Sequence, residues 1–193
     1  MQLPTGIVFR RTVYAKSVNS DSRKHRVKIN IMSKGNIAQD LKELLRGDVY
    51  QTGDKIKEYS RDWSLFKVVP ELVVFPKDHE DVEKLVAYIS KNKKENPGLS
   101  LTGRSAGTDM TGGPLNESII LGCTKYLNNF SVDEEKLRAV VEPGVYYRAF
   151  EEETLPEHLS MPSYPASKDI AALGGIIMNN SGGERTLRYG QTR

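Results

Sequence analysis

Residues 101–115, LTGRSAGTDMTGGPL, hold the side chains and glycines whose types and spacing could do chemistry. Gly103, Gly107, Gly112 and Gly113 sit among Ser105, Thr108 and Thr111. Glycine reaches φ > 0 at little cost and lets backbone N–H groups approach a ligand closely. Successive N–H groups with hydroxyl donors make a concave anion site that suits a pyrophosphate. Arg104 either adds charge to such a site or braces the loop. No Gly-Lys-Ser/Thr follows, which excludes a Walker A loop, and three residues separate Gly103 from Gly107, which excludes G-x-G-x-x-G. By spacing alone, a phosphate cradle and a plain surface turn both remain open. A second glycine-rich stretch, 162–193, carries Gly174-Gly175, Gly182-Gly183 and Tyr189-Gly190. Two such segments suggest two loops closing on one extended ligand.

The flanking elements must position these loops. Residues 71–76 (ELVVFP) read as a buried strand stopped by Pro76. A helix then begins at Asp78 or His79. Its Val82, Leu85, Val86 and Ile89, at i, i+3, i+4 and i+7, predict one apolar stripe facing a sheet. Asn96-Pro97-Gly98 breaks the chain, 99–102 is the next strand, and the first glycine loop leaves its end. Residues 118–121 form a third strand. The β-α-β order predicts a parallel pair with a right-handed crossover. A loop at the carboxyl end of a strand is the expected place for a site in such a sheet.

Upstream, Ile37, Leu41, Leu44 and Leu45 predict a helix over 36–46 with Gly47 as its C-cap, and 54–59 reads as a further turn. Trp63, the single tryptophan, reads as packing. Downstream, 126–130 and 136–141 read as strands around a turn at 133–135, and Pro143-Gly144 as a turn. Residues 145–155 read as helical, with Tyr147, Phe150 and Leu155 as core contacts. Residues 173–180 read as a short helix whose start offers N–H groups to an anion.

At 193 residues, with 27% charged and 38% hydrophobic positions, the chain has the size and composition of one soluble globular domain. No apolar run approaches the roughly 20 residues that span a bilayer. A net charge of +3 does not by itself imply a nucleic-acid partner. Cys123 is the single cysteine, so a disulfide framework within the chain is excluded and a reducing, cytoplasmic setting is favoured. Cys123 reads as a small buried hydrophobe rather than a nucleophile. His25, His79 and His158 lack metal-ligand spacing. Residues 1–31 are basic, with Arg10, Arg11, Lys16, Arg23, Lys24, Arg26 and Lys28 against Asp21 alone. A nucleic-acid arm, an organellar leader and an extension upstream of a natural start at Met32 all fit. The last is favoured, and the segment is expected to be disordered or non-native.

The order of PELVVFPKDHEDVEKLV (70–86), GRSAGTDMTGG (103–113), PASKDIAALGG (165–175), NNSGG (179–183) and YG (189–190) resembles the FAD-binding domain of the FAD-linked oxidases. This is the vanillyl-alcohol oxidase / p-cresol methylhydroxylase superfamily, in the branch of the D-lactate dehydrogenases and the glycolate oxidase FAD subunit. The resemblance implies an α/β (α+β) fold, in which a small parallel β-α-β subdomain is followed by the start of a mixed or antiparallel one. Residues 32–65 become a helical lead-in and 66–193 the FAD-binding domain. In this family the first loop wraps the FAD pyrophosphate. That role falls on Gly103, Arg104, Ser105, Ala106, Gly107, Thr108 and Asp109, with Gly112-Gly113 closing the loop. The ribityl, ribose and isoalloxazine side falls on Pro165, Ala166, Ser167, Ala172, Gly174, Gly175, Asn179, Asn180, Ser181, Gly182 and Gly183. Tyr189-Gly190 follows as a tight turn near the flavin.

Two departures matter. Ala172 stands where many relatives have a hydroxyl residue. Thr108 stands where covalently flavinylated members often have histidine, so non-covalent FAD is expected. The chain also resembles the amino-terminal part of a larger oxidoreductase, whose cap domain carries the substrate site and the acid/base residues. The whole enzyme would remove a hydride from a D-2-hydroxy acid such as D-lactate, or from glycolate. The chain alone is expected to be inactive, with no catalytic residue and no metal site of its own. Glu151, Glu152, Glu153 and His158 read as a solvated helix face. The same domain acting on a sugar alcohol, an aldonolactone or an alkyl-glycerone-phosphate type donor is the alternative. A non-catalytic nucleotide-binding module is a further one. A small hydroxy acid and the cap are the expected partners, without nucleic acid; peripheral membrane association stays open.

Overall fold

A computed structural model describes residues 7–8 and 37–192. Apart from Ile7 and Val8, the leader over 1–31 lies outside the described residues. In chain order the elements are β1 (Ile7–Val8), α1 (Ile37–Leu44), β2 (Asp48–Tyr50), α2 (Asp54–Tyr59), β3 (Leu72–Phe75), α3 (His79–Asn92), β4 (Leu101–Arg104) and β5 (Ile119–Gly122). There follow β6 (Phe130–Asp133), β7 (Arg138–Val141), α4 (Tyr147–Thr154), β8 (Leu159–Ser160), α5 (Leu173–Met178) and α6 (Thr186–Tyr189).

The first subdomain is a sheet of order β2-β3-β5-β4. Strands β3 and β5 are buried at every position, as expected of apolar runs covered on both faces. The sequence predicts β3 and β4 as a pair. They do run parallel, but β5 lies between them, with Ile119 opposite both Leu72 and Leu101. The apolar Ile119-Ile120-Leu121 run takes the central place, while β4, carrying Thr102 and Gly103, takes the edge. The other edge, β2, pairs antiparallel with β3 and has no counterpart in the sequence reading.

Helices α1 and α3 cover one face, where Leu41, Leu85, Val74, Ile119 and Leu99 form a core. Asp78 caps α3, its carboxylate accepting the Glu80 and Asp81 N–H groups at 3.1 and 3.2 Å. The expected stripe is shifted: Leu85 and Tyr88 are buried, Val82 and Ile89 flank them, and Val86 is exposed. Asp81 is fully buried and accepts the N–H groups of Arg46, Gly47 and Lys77 at 3.1, 2.9 and 2.9 Å. On the other face, α2 lays Ile56 and Tyr59 over Val73, Phe75 and Ile120. Trp63 does not pack inside. It is 65% exposed.

The second subdomain is the β6–β7 hairpin, in which Asp133 faces Arg138, packed against α4 and α5. Tyr147, Phe150, Tyr164, Leu173 and Ile176 fill its core. The strand expected at 126–130 begins only at Phe130. Tyr126 instead turns back to the first sheet, its hydroxyl donating to Asp48 Oδ2 at 2.8 Å. Leu155, expected in the core, is exposed. Strands β1 and β8 pair parallel, Ile7 opposite Leu159.

Candidate functional site

The two subdomains face each other across a cleft of about 710 Å³. The first glycine loop forms one wall and the start of α5 the other. Of the residues singled out in the sequence, Gly103, Arg104, Ser105, Ala106, Gly107, Thr108, Asp109 and Gly113 line it from the first segment. Pro165, Ser167, Ala172, Gly174, Gly175, Asn179 and Ser181 line it from the second. Gly112, Ala166, Asn180, Gly182, Gly183, Tyr189 and Gly190 are not among the lining residues. Several of these serve local structure. A Cβ on Gly183 would overlap the Tyr164 carbonyl, one on Gly182 the Thr186 hydroxyl, and Gly190 ends α6 at φ 80°.

The loop leaves β4 over a braced arginine. Arg104 Nη1 donates to the Tyr59 and Arg61 carbonyls at 3.2 and 2.7 Å, and the guanidinium lies 4.6 Å from the Tyr59 ring centre. Of the two roles the sequence left open, bracing is therefore realised. Gly107, at φ 72°, crosses directly against the guanidinium. Asp109 folds the loop onto itself, its Oδ2 accepting the Thr111 hydroxyl at 2.6 Å and the Gly113 N–H at 2.9 Å. Partial burial pushes this carboxyl up, but the Thr111 hydroxyl and the N–H groups of Gly113, Thr111 and Met110 outweigh it. The net effect holds the carboxyl below its ordinary value.

The walls meet at one junction. Ser105 Oγ donates to the Pro143 carbonyl at 2.9 Å, and Gly174 N–H donates to the same oxygen at 3.1 Å. A Cβ on Gly174 would stand 2.6 Å from both Ser105 Oγ and Pro143 O. Leu173 N–H donates to Val145 O at 2.8 Å. The first N–H groups of α5 thus hold the helix to the 143–145 turn instead of facing an anion, which corrects the expectation for that helix start. Further along, Asn179 Nδ2 reaches Asp109 Oδ1 at 3.4 Å.

Two glycines behave differently. A Cβ on Gly103 or Gly175 would meet no atom within 4 Å. Both line the cleft, so their missing side chains leave room there and relieve no clash inside the protein. That is a cradle a Cβ would fill, and it fits an extended ligand whose body passes close to backbone.

Met110, Pro114, Cys123, Pro143, Ala171, Ile176 and Met178 also line the cleft and were not anticipated. Pro143 carried a signal, the Pro-Gly turn, although nothing in the sequence located it between the two loops. Cys123 is buried, and burial pushes its thiol up to about 11, against the smaller opposing effect of the Ser105 hydroxyl. It is therefore protonated at neutral pH and a poor nucleophile. Among the described residues, no three His, Cys, Asp or Glu side chains are grouped to hold a metal. No helix among them is long and apolar enough to cross a membrane.

The family described as "FAD binding domain" matches residues 70–193. Glycolate oxidase subunit GlcD of Escherichia coli (strain K12) is 29% identical over 148 residues, covering 75% of this chain and 29% of that protein. D-2-hydroxyglutarate dehydrogenase of Stutzerimonas stutzeri is 30% identical over 161 residues, covering 81% and 34%. D-lactate dehydrogenase of Archaeoglobus fulgidus is 32% identical over 124 residues, covering 63% and 26%. The chain thus spans about a third or less of the length of these relatives. Among solved structures, 6-hydroxy-D-nicotine oxidase of Arthrobacter nicotinovorans superposes with a TM-score of 0.65 at 23% identity, covering 77% of this chain and 32% of that one. At such identity the likeness speaks for the fold alone. With a family match over nearly two-thirds of its length and a two-lobed fold shared with solved oxidases, the chain belongs to the FAD-binding domain family of the FAD-linked oxidases and dehydrogenases.

Proposed function

We propose that the cleft holds FAD without a covalent link and that the full-length protein oxidises a 2-hydroxy acid of the D-lactate or glycolate type. The observation that carries the first part is the pair Gly103 and Gly175, one on each wall, both lining the same cleft with open space where a Cβ would stand. The loop over 105–109 would hold the pyrophosphate, and Pro165, Ser167 and the face of α5 would hold the rest. Bound FAD supplies the hydride acceptor. The chain's own residues bind, orient and exclude water. Thr108 and the protonated Cys123 thiol offer no activated nucleophile for a flavin linkage, which supports non-covalent binding. The buried free thiol also supports an intracellular setting.

The substrate class rests on the relatives named above. Of the residues lining the cleft, only Arg104, Asp109 and Cys123 titrate. Arg104 is engaged by two carbonyls, Asp109 by loop donors, and Cys123 keeps its proton. None is placed to take a hydroxyl proton. Deprotonation and carboxylate binding are therefore assigned to parts of the full-length relatives beyond the matched segment, in a cap domain.

The test is to titrate FAD into the chain and follow flavin fluorescence, then denature and ask whether flavin leaves the protein. Saturable, weak binding with full release of flavin is expected, with no turnover of D-lactate or glycolate in a dye-linked assay. Absence of saturable binding sinks the cofactor reading. Turnover by this chain alone sinks the placement of the base.

A further inference from the structure

An apolar face stands at the rim of the cleft. Trp63, Leu65 and Phe66 are 65%, 99% and 57% exposed, and Met110, which lines the cleft, is 76% exposed. Local contacts bring the two stretches together. Trp63 N–H donates to the Asp109 carbonyl at 3.1 Å, and the Phe66 ring stands 3.0 Å from where a Cβ on Gly112 would be. Hydrogen bonds pin the segment with its apolar side chains exposed. Ser64 N–H donates to Asp62 Oδ1 at 2.9 Å, the Ser64 hydroxyl donates to the same oxygen, and Phe66 N–H donates to Ser64 Oγ at 3.1 Å. Val68 N–H closes the loop on the Ser60 carbonyl at 2.9 Å.

A contiguous apolar patch on a folded surface marks a contact with protein or with lipid. The charges decide against lipid. A cluster of about 4–8 Lys or Arg attracts an anionic membrane, whereas here Arg61 and Lys67 stand beside Asp62, with Glu58 and Glu71 at the ends. Two observations favour a protein surface from the same polypeptide. The chain covers 29% of the GlcD relative and 34% of the D-2-hydroxyglutarate dehydrogenase relative, so most of each lies outside the match. Whatever supplies the proton acceptor that the cleft lacks must also reach it across the rim, where Met110 and the 63–66 segment stand.

We infer that Trp63, Leu65, Phe66 and Met110 form the face on which the part of the full-length protein outside the matched segment docks, through an apolar surface of its own. This rests on the reading that catalysis needs a further domain, and not on the identity of the cofactor.

The experiment places Leu65→Ser in two backgrounds, this chain and the full-length protein, and follows thermal unfolding without added FAD. In the chain the side chain is already in solvent, so Tm should not change. In the full-length protein the same substitution should lower Tm by about 2 °C or more. An equal response in the two backgrounds overturns the inference. Trp63 is the single tryptophan of this chain, so its emission here should be that of a solvated indole. In the full-length protein, the difference from a Trp63→Phe variant isolates the same indole, which should emit at shorter wavelength. A solvated indole in both backgrounds overturns the inference. Sedimentation of the chain tests the other occupants. A dimer that Leu65→Ser abolishes assigns the face to a second copy, and binding to phosphatidylserine vesicles that Leu65→Ser abolishes assigns it to lipid; either result overturns the inference. No arm contains FAD, so failure of the cofactor reading leaves these outcomes standing.

Discussion

Neighbouring glycines at the start of α5 should respond to alanine in opposite ways. At Gly174 the new methyl would stand 2.6 Å from Ser105 Oγ, 2.6 Å from Pro143 O and 2.7 Å from Pro143 Cβ. Two of these atoms share a hydrogen bond and the third is in a fixed ring, so none yields easily. Overpacking of this kind costs about 1–3 kcal/mol, and a displaced Ser105–Pro143 hydrogen bond about 1 kcal/mol more. Relief of glycine's helix penalty returns about 0.5–1 kcal/mol. The net loss for Gly174→Ala is about 1–3 kcal/mol, or a fall in Tm of about 3–10 °C for a chain of this size. At Gly175 no atom lies within 4 Å. Gly175→Ala should therefore leave Tm unchanged or raise it by about 2–4 °C, while placing a methyl in the cleft and weakening FAD binding. The assay is thermal unfolding of both ligand-free variants beside a fluorescence titration with FAD. A Gly174→Ala protein that melts like the original would refute the packed junction. A Gly175→Ala protein with undiminished FAD affinity would refute occupancy of that part of the cleft.

Two further outcomes are expected away from the cleft. Asp81→Ala strands the N–H groups of Arg46, Gly47 and Lys77, each within 3.1 Å of the lost carboxylate. It should lower stability by about 3 kcal/mol or more, read as a lower urea midpoint at constant slope; an unchanged midpoint would mean those donors find other partners. The second concerns Asp48, whose carboxyl is held below its ordinary value first by the hydrogen bond from Lys125, with partial burial opposing and Tyr126 assisting. Because the folded value is depressed, the stabilisation is present at neutral pH and is lost as pH falls below about 3.9 and through the folded value. Lys125→Met should raise the Asp48 pKa seen by NMR titration and cost about 1 kcal/mol or less at neutral pH, since both side chains are over a third exposed. A stability gap between the two proteins that persists in strong acid would count against the pairing.

Much of the first subdomain was legible because its signals are local. The apolar runs of β3 and β5, the helix start at Asp78 or His79 and the glycine loop after β4 all follow from short windows of sequence. Strand β2 was missed because Asp48-Val49-Tyr50 is three residues long, lacks alternation, and is a strand only by virtue of β3 beside it. The place of β5 between β3 and β4 was equally out of reach, since chain order does not dictate spatial order. At the site, the difficulty is that one residue type does several jobs. Gly183 is required by the Tyr164 carbonyl, Gly174 by Pro143 and Ser105, and Gly107 by its φ and by Arg104, while Gly103 and Gly175 face open space. All read as the same letter. The two glycine segments could be seen to converge; which of their glycines relieve a clash and which leave room for a ligand needed the third dimension.

The contacts between α5 and the first loop are unequal, and that has a kinetic consequence. Near Gly174 the helix is bolted to Ser105 and Pro143 by short hydrogen bonds and direct packing. Near Asn179 it is joined to Asp109 by a 3.4 Å hydrogen bond between exposed groups. Any widening of the cleft must therefore pivot about the Gly174 end and open at the Asn179 end. A long ligand would thread in from that side, past a weakly held edge rather than through the separation of two lobes. Association should then be fast, and differences in affinity among variants of this wall should appear mainly in how quickly the ligand leaves.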